Sequence, residues 1–126
     1  MQGIAHCFGA SIVRAHVPMH GKVSPIIHDN KGVYQNTPQG LEIMRYHSLM
    51  VDVDTLPDCL EITSIINDSH ASEVQSTDDY KQAVQNGSEI MGVRHKQFPI
   101  EGIQYHPESF ATEGGRTLLR NFLLER

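Results

Sequence analysis

The stretch "IMGVRHKQFPIEGIQYHPES", residues 90 to 109, decides how this chain is read. Ile90 to Lys96 and Ile100 to His106 are apolar-rich segments flanking "QFP", which predicts two neighbouring strands. The second alternates Ile103 with Tyr105 and then meets His106, Pro107 and Glu108. In a strand, residues i and i+2 point to the same side, roughly 6.5 to 7 Å apart at Cα. A glutamate can span that gap and accept a hydrogen bond from the imidazole. Pro107 supplies no ladder N–H and marks the sheet's end, where loops and active sites lie. His106 and Glu108 thus read as an oriented general base, a carboxylate holding an imidazole that is free to take a nucleophile's proton. A surface His beside a Glu at a strand end fits the same letters, so the pair alone does not decide the chemistry.

Outward from this pair the chain is rich in strand signals. "SIVRAHV" (11 to 17), "GKVSPIIHD" (21 to 29), "LEIMRYHSLMVDV" (41 to 53) and "CLEITSII" (59 to 66) are β-rich or alternating, with turn chemistry at "NKG" and "NTPQG" around a short segment, Val33 to Gln35. Pro25 predicts an edge strand or a bulge. "MQGIAHCF" (1 to 8) reads as a short helix ended by Gly9, with Ile4 and Phe8 one turn apart. "TEGGRTLLRNFLLER" (112 to 126) reads as a closing helix that Thr112 can cap, with Leu118, Leu119, Phe122 and Leu123 as its apolar stripe. Residues 67 to 89 turn polar and acidic; "DDYKQAVQN" can make one or two helical turns inside what is expected to be a mobile surface insertion.

Roughly six or seven strands against two helices is an imbalance, because a mostly parallel sheet needs cover on both faces. The first helix also starts with no cap residue ahead of it. Both features predict that a piece belongs in front of Met1.

The totals exclude several classes. A chain of 126 residues fits one compact domain, and 39% hydrophobic with 20% charged content is ordinary for a soluble protein. The net charge of −5, without a basic block, gives no support to a nucleic-acid or anionic-membrane surface. No apolar run is long enough to span a bilayer, and "MQGIAHCFGA" lacks the features of a secretory signal. Two cysteines are too few for a disulfide framework, so a reducing compartment, the cytoplasm, is expected.

A base needs a nucleophile. Cys59 opens a strand, and Cys7, near the end of the first helix, reads as a small buried hydrophobe. No serine sits in a G-x-S-x-G elbow. His16 and His20 have a metal-like spacing, but Pro18 and Gly21 argue against the helix it needs, and no metal site is expected. His47 reads as structural, and His95 as a solvent-side strand residue.

Three motifs supply more: "RYHSL" (45 to 49), "IMGVRHK" (90 to 96) and "IEGIQYHPESFATEGGRTLLRNFL" (100 to 123) together resemble class I glutamine amidotransferases. "MHGKVSPI" (19 to 26) and "LPDCLEIT" (56 to 63) resemble the branch that serves anthranilate synthase, whose sister serves aminodeoxychorismate synthase. The resemblance runs from residue 1 to about 124. It implies an α/β, flavodoxin-like fold of the amidotransferase type, a mixed sheet with flanking helices whose N-terminal units are missing here. In that family the nucleophilic Cys lies on an elbow reading Cys-Leu-Gly, a variable residue, then Gln. Met1 stands at the variable position and Gln2 at the glutamine, so the resemblance implies a Cys just ahead of Met1 and residues 1–126 as the C-terminal portion of one amidotransferase domain.

The resemblance further implies thioester chemistry on glutamine, with His106 as base and then acid, and Glu108 orienting it. Gln2, Ser48 and Leu49 would bind the glutamine, and the ammonia would pass to a chorismate-using synthase. No cofactor, nucleic acid or membrane enters this scheme. Without the Cys, the chain alone is expected to be inert. A non-catalytic module that docks on a synthase is the other reading; intact His106 and Glu108 favour descent from an active enzyme.

Overall fold

The computed structural model describes residues 1–14, 22–35, 37, 39–45, 49–71 and 74–104. The first predicted helix is α1 (Gln2–Cys7). Gly9 follows it at φ 101, a left-handed conformation that glycine adopts without a Cβ penalty. Ala5 is fully buried, with Ile4 and Phe8 packed against the same cluster, so one face of α1 docks.

The strands are β1 (Ile12–Arg14), β2 (Lys22–His28), β3 (Glu42–Arg45), β4 (Leu49–Val51), β5 (Leu60–Ile66), β6 (Ile90–His95) and β7 (Glu101–Ile103); α2 (Tyr80–Gln85) lies between β5 and β6. Five strands form one sheet in the order β3-β2-β5-β6-β7, while β1 and β4 pair separately. All of these described pairings are antiparallel. Neighbouring residues along a strand face opposite sides. Ile65, Ile90 and Val93 accordingly join one apolar cluster with Ala5, Tyr80 and Val84, while Ile26, Ile66 and Met91 join Tyr34, Leu41 and Ile43 in a second. The expected α/β class holds.

Four expectations need revision. First, β2 lies inside the sheet, between β3 and β5, not at an edge. Its residues 22 to 25 pair with β3 and 26 to 28 with β5, so Pro25 sits where pairing changes sides and its missing N–H is tolerated. Second, Cys7 is exposed, not buried. It lies two residues beyond Ala5, about 200° around the helix, and therefore points away from the docked face. Third, His95 is buried, its ring held between Phe8 and Phe98 at centroid distances of 5.0 and 4.7 Å. Its Nδ1 accepts the N–H groups of Gln97 and Phe98, each at 3.0 Å, which places the ring proton on Nε2.

The fourth concerns residues 67 to 89. The predicted helical turns form as α2, but Tyr80, Ala83 and Val84 are core residues. Their i, i+3, i+4 spacing is an apolar helix face that the surrounding acidic letters hide. The closing helix predicted over 112 to 126 lies outside the described residues. None of the described helices is long and apolar enough to cross a membrane.

Candidate active site

The site is built from β7 upward. β7 pairs with β6 through Gly92↔Ile103, Val93↔Gly102 and Arg94↔Glu101. The Gln104 N–H then donates to the Met91 carbonyl at 2.8 Å, carrying the ladder one residue further. His106 and Glu108 follow in sequence but lie outside the described residues, as does Ser48. Gln2 is the first residue of α1 and Leu49 the first of β4.

The start of α1 rests on β7. A Cβ added at Gly102 would come within 2.8 Å of Ile4 Cδ1 and 3.1 Å of the Met1 Cα, so the bare glycine permits the contact. α1 also borders β4. α1, which carries Gln2, thus neighbours both β4, which begins at Leu49, and β7.

Both thiols sit elsewhere. Cys7 closes α1, and the next residue, Phe8, packs on His95 at the end of β6. Cys59 precedes β5, and its carbonyl accepts the Lys96 N–H at 2.8 Å at that same end. β7 runs antiparallel to β6 and finishes at the opposite end of it, with Ile103 beside Gly92.

Sequence reasoning missed the ionic cluster beside β7. Arg94 Nη2 donates to Asp29 Oδ2 at 2.5 Å, Arg94 Nε donates to Glu61 Oε1 at 2.9 Å, and Nη1 stands 3.6 Å from Glu101 Oε2. Glu101 Oε1 accepts the Val33 N–H at 3.2 Å. Burial works against the Arg94 charge, but the bond and proximity to Asp29, then Glu61 and Glu101, outweigh it and hold its pKa above the ordinary value. One signal was legible: Arg94 and Glu101 are opposite charges on either side of the "QFP" connection. Asp29 and Glu61 carried no such signal.

A second polar device secures β2 where β3 no longer covers it. The Gln39 amide donates to the His28 carbonyl at 2.8 Å and accepts the His28 N–H at 3.1 Å, imitating a strand partner. The His28 ring stacks on Tyr34, 4.7 Å apart and 7° from parallel. Next to it, a cleft of about 540 Å³ is lined by Asp29, Gln39, Asn67, Gln75, Thr77 and Tyr80 among others.

Comparison with known proteins places this architecture. The model of the family described as glutamine amidotransferase class-I matches residues 1–86 and 69–126. The chain belongs to the class I glutamine amidotransferase family. It is 50% identical over 123 residues to anthranilate synthase component 2 of Leptospira biflexa, covering 98% of this chain and 54% of that protein. It is 44% identical to aminodeoxychorismate synthase component 2 of Klebsiella aerogenes, covering 97% of this chain and 55% of that one. A solved structure from Thermoplasma acidophilum, described as one subunit of a GMP synthase, superposes with a TM-score of 0.72 at 26% identity, over 97% of this chain and 51% of the other. The chain spans about half the length of the curated relatives it matches.

Proposed function

We propose that these residues form the base side of a glutaminase site. His106 takes the proton of a cysteine thiol and later returns it to the leaving ammonia, while Glu108 orients the ring and stabilises its cation. Gln2, Ser48 and Leu49 contact the substrate glutamine, the last two largely through backbone groups. The ammonia goes to a synthase that acts on chorismate. The observation that carries this reading is the seat of the α1 start on β7 at Gly102, four residues ahead of His106. It puts the helix that carries Gln2 beside the strand that leads to the base.

The anthranilate branch is favoured over the aminodeoxychorismate branch by "MHGKVSPI" and "LPDCLEIT". The identities of 50% and 44% to the two components lean the same way. In this reading residues 1–126 are part of one amidotransferase domain whose nucleophile is neither Cys7 nor Cys59. Both thiols sit toward the end of the sheet where β7 begins, not where it finishes.

The test is a glutaminase assay. The 126-residue chain alone should release no ammonia from glutamine. Joined to an N-terminal half carrying the Cys-Leu-Gly elbow, and with a chorismate-using synthase present, it should release ammonia and yield anthranilate. Hydrolysis by the 126 residues alone that disappears in Cys7→Ser would sink this assignment. Docking on the synthase without hydrolysis in the joined protein would point instead to a non-catalytic module.

A further inference from the structure

We infer that the cleft beside the His28–Gln39 pairing binds a small primary amine, whose ammonium group sits at the Tyr80 hydroxyl in front of Asp29. The inference does not depend on the glutaminase reading.

The cleft, of about 540 Å³, lies between the end of β2, Gln39 and residues 74 to 77, with Tyr80 forming part of its wall. That wall holds an unused polar group. Tyr80 is 2% exposed, and its hydroxyl has no hydrogen-bond partner among the described residues, yet it is not one of the unpaired oxygens sealed from solvent. Buried hydroxyls normally find a partner, so this one is left for a group that enters from outside. Tyr80 also lines a second cleft, of about 270 Å³, which contains Lys81 and Lys96. Burial, and then the charge of Asp29, push the Tyr80 pKa up to about 12. Asp29 lines the larger cleft and not the smaller one, so the hydroxyl stands on the larger side.

Charge selects the ligand. Among the described residues, the carboxylate of Asp29 lines this cleft and no Lys or Arg side chain does. The Asp29 side chain is itself only 3% exposed, and acts from behind the Tyr80 hydroxyl. Its partner Arg94 is shared with Glu61 and Glu101. One guanidinium set against three carboxylates leaves the potential at this wall negative, which attracts a cation and disfavours an anion. A primary ammonium group carries three donors and no acceptor. The Tyr80 oxygen can accept one, and the side-chain oxygens of exposed Asn67, Gln75 and Thr77 can accept the others. Ile27 and Val74, both half-buried, offer an apolar surface to the carbon chain.

The test is a titration of the isotope-labelled 126-residue chain with putrescine at neutral pH, followed by NMR and calorimetry. The diol of the same chain length and succinate serve as the uncharged and anionic counterparts. Putrescine should shift the Asn67 and Gln75 side-chain amides along a saturating curve. The diol should bind roughly tenfold more weakly, and succinate not at all. Tyr80→Phe, which removes the hydroxyl alone, should weaken putrescine by roughly tenfold. Gln75→Lys, at an exposed position, puts a cation into the cleft and should abolish binding. A diol that binds as tightly as putrescine overturns the ammonium assignment. Unsaturated shifts spread over the acidic surface would show charge attraction only, and overturn the site. Should Tyr80→Phe fail to fold, Overhauser contacts between putrescine methylenes and the Tyr80 ring decide in the unaltered chain: their presence supports the site and their absence overturns it.

Discussion

Met1 lies against Gly102 so closely that a Cβ on the glycine would stand 3.1 Å from the Met1 Cα. The start of α1 and the middle of β7 thus lie close together, and a larger residue there requires Ile4 and Met1 to shift. Gly102→Ala should push α1 off the strand and cost about 1–3 kcal/mol, read as a lower urea midpoint. It should also lower glutaminase turnover in the joined protein. An unchanged midpoint would show that Ile4 and Met1 yield freely.

Gly3 supplies the opposite case. It is exposed within α1, and a Cβ there meets nothing within 4 Å. Gly3→Ala should stabilise by roughly 0.5–1 kcal/mol through the helix preference of alanine, a rise measured by the same denaturation.

Tyr80 predicts an alkaline signature. Burial, and then the charge of Asp29, push its pKa up to about 12, from 10.0. The unfolded chain therefore releases this proton before the folded one. The associated stability is complete below about pH 10 and is lost as pH rises toward about 12. Tyr80→Phe should flatten the fall in melting temperature across that window; parallel curves for both proteins would contradict it.

Burial of Tyr80, Ala83 and Val84 also divides residues 67 to 89 by mobility. Amides of α2, and the Asn67 N–H that donates to the Pro25 carbonyl at 2.9 Å, should be protected from exchange, whereas exposed Ser69, Thr77 and Asp78 should exchange quickly. Uniformly fast exchange would mean that α2 does not hold its place in the core.

For the proposed base, His106→Ala should abolish turnover in the joined enzyme. Glu108→Gln should slow the chemistry while leaving glutamine binding largely intact, because an amide can hold the ring but cannot stabilise its cation. The double variant should be little worse than His106→Ala, since members of such a unit are not additive. Additive losses would mean that the two residues act separately.

What the sequence determined by itself was local. The alternation in "CLEITSII" and "IMGVRHK" marked β5 and β6, Gly9 marked the end of α1, and the motif around His106 pointed to the family. These follow from period, turn chemistry and residue order within short windows. Tertiary structure decided what no window contains. Cys7 is exposed because of which face of α1 docks, and His95 is buried because Phe8, distant in sequence, lies on it. Pro25 sits inside a sheet because β2 exchanges partners at that residue. Arg94 finds Asp29 and Glu61, 65 and 33 residues away, only once β2 and β5 have come together. Burial and pairing are properties of the partner as much as of the residue, and here the partners come from distant parts of the chain.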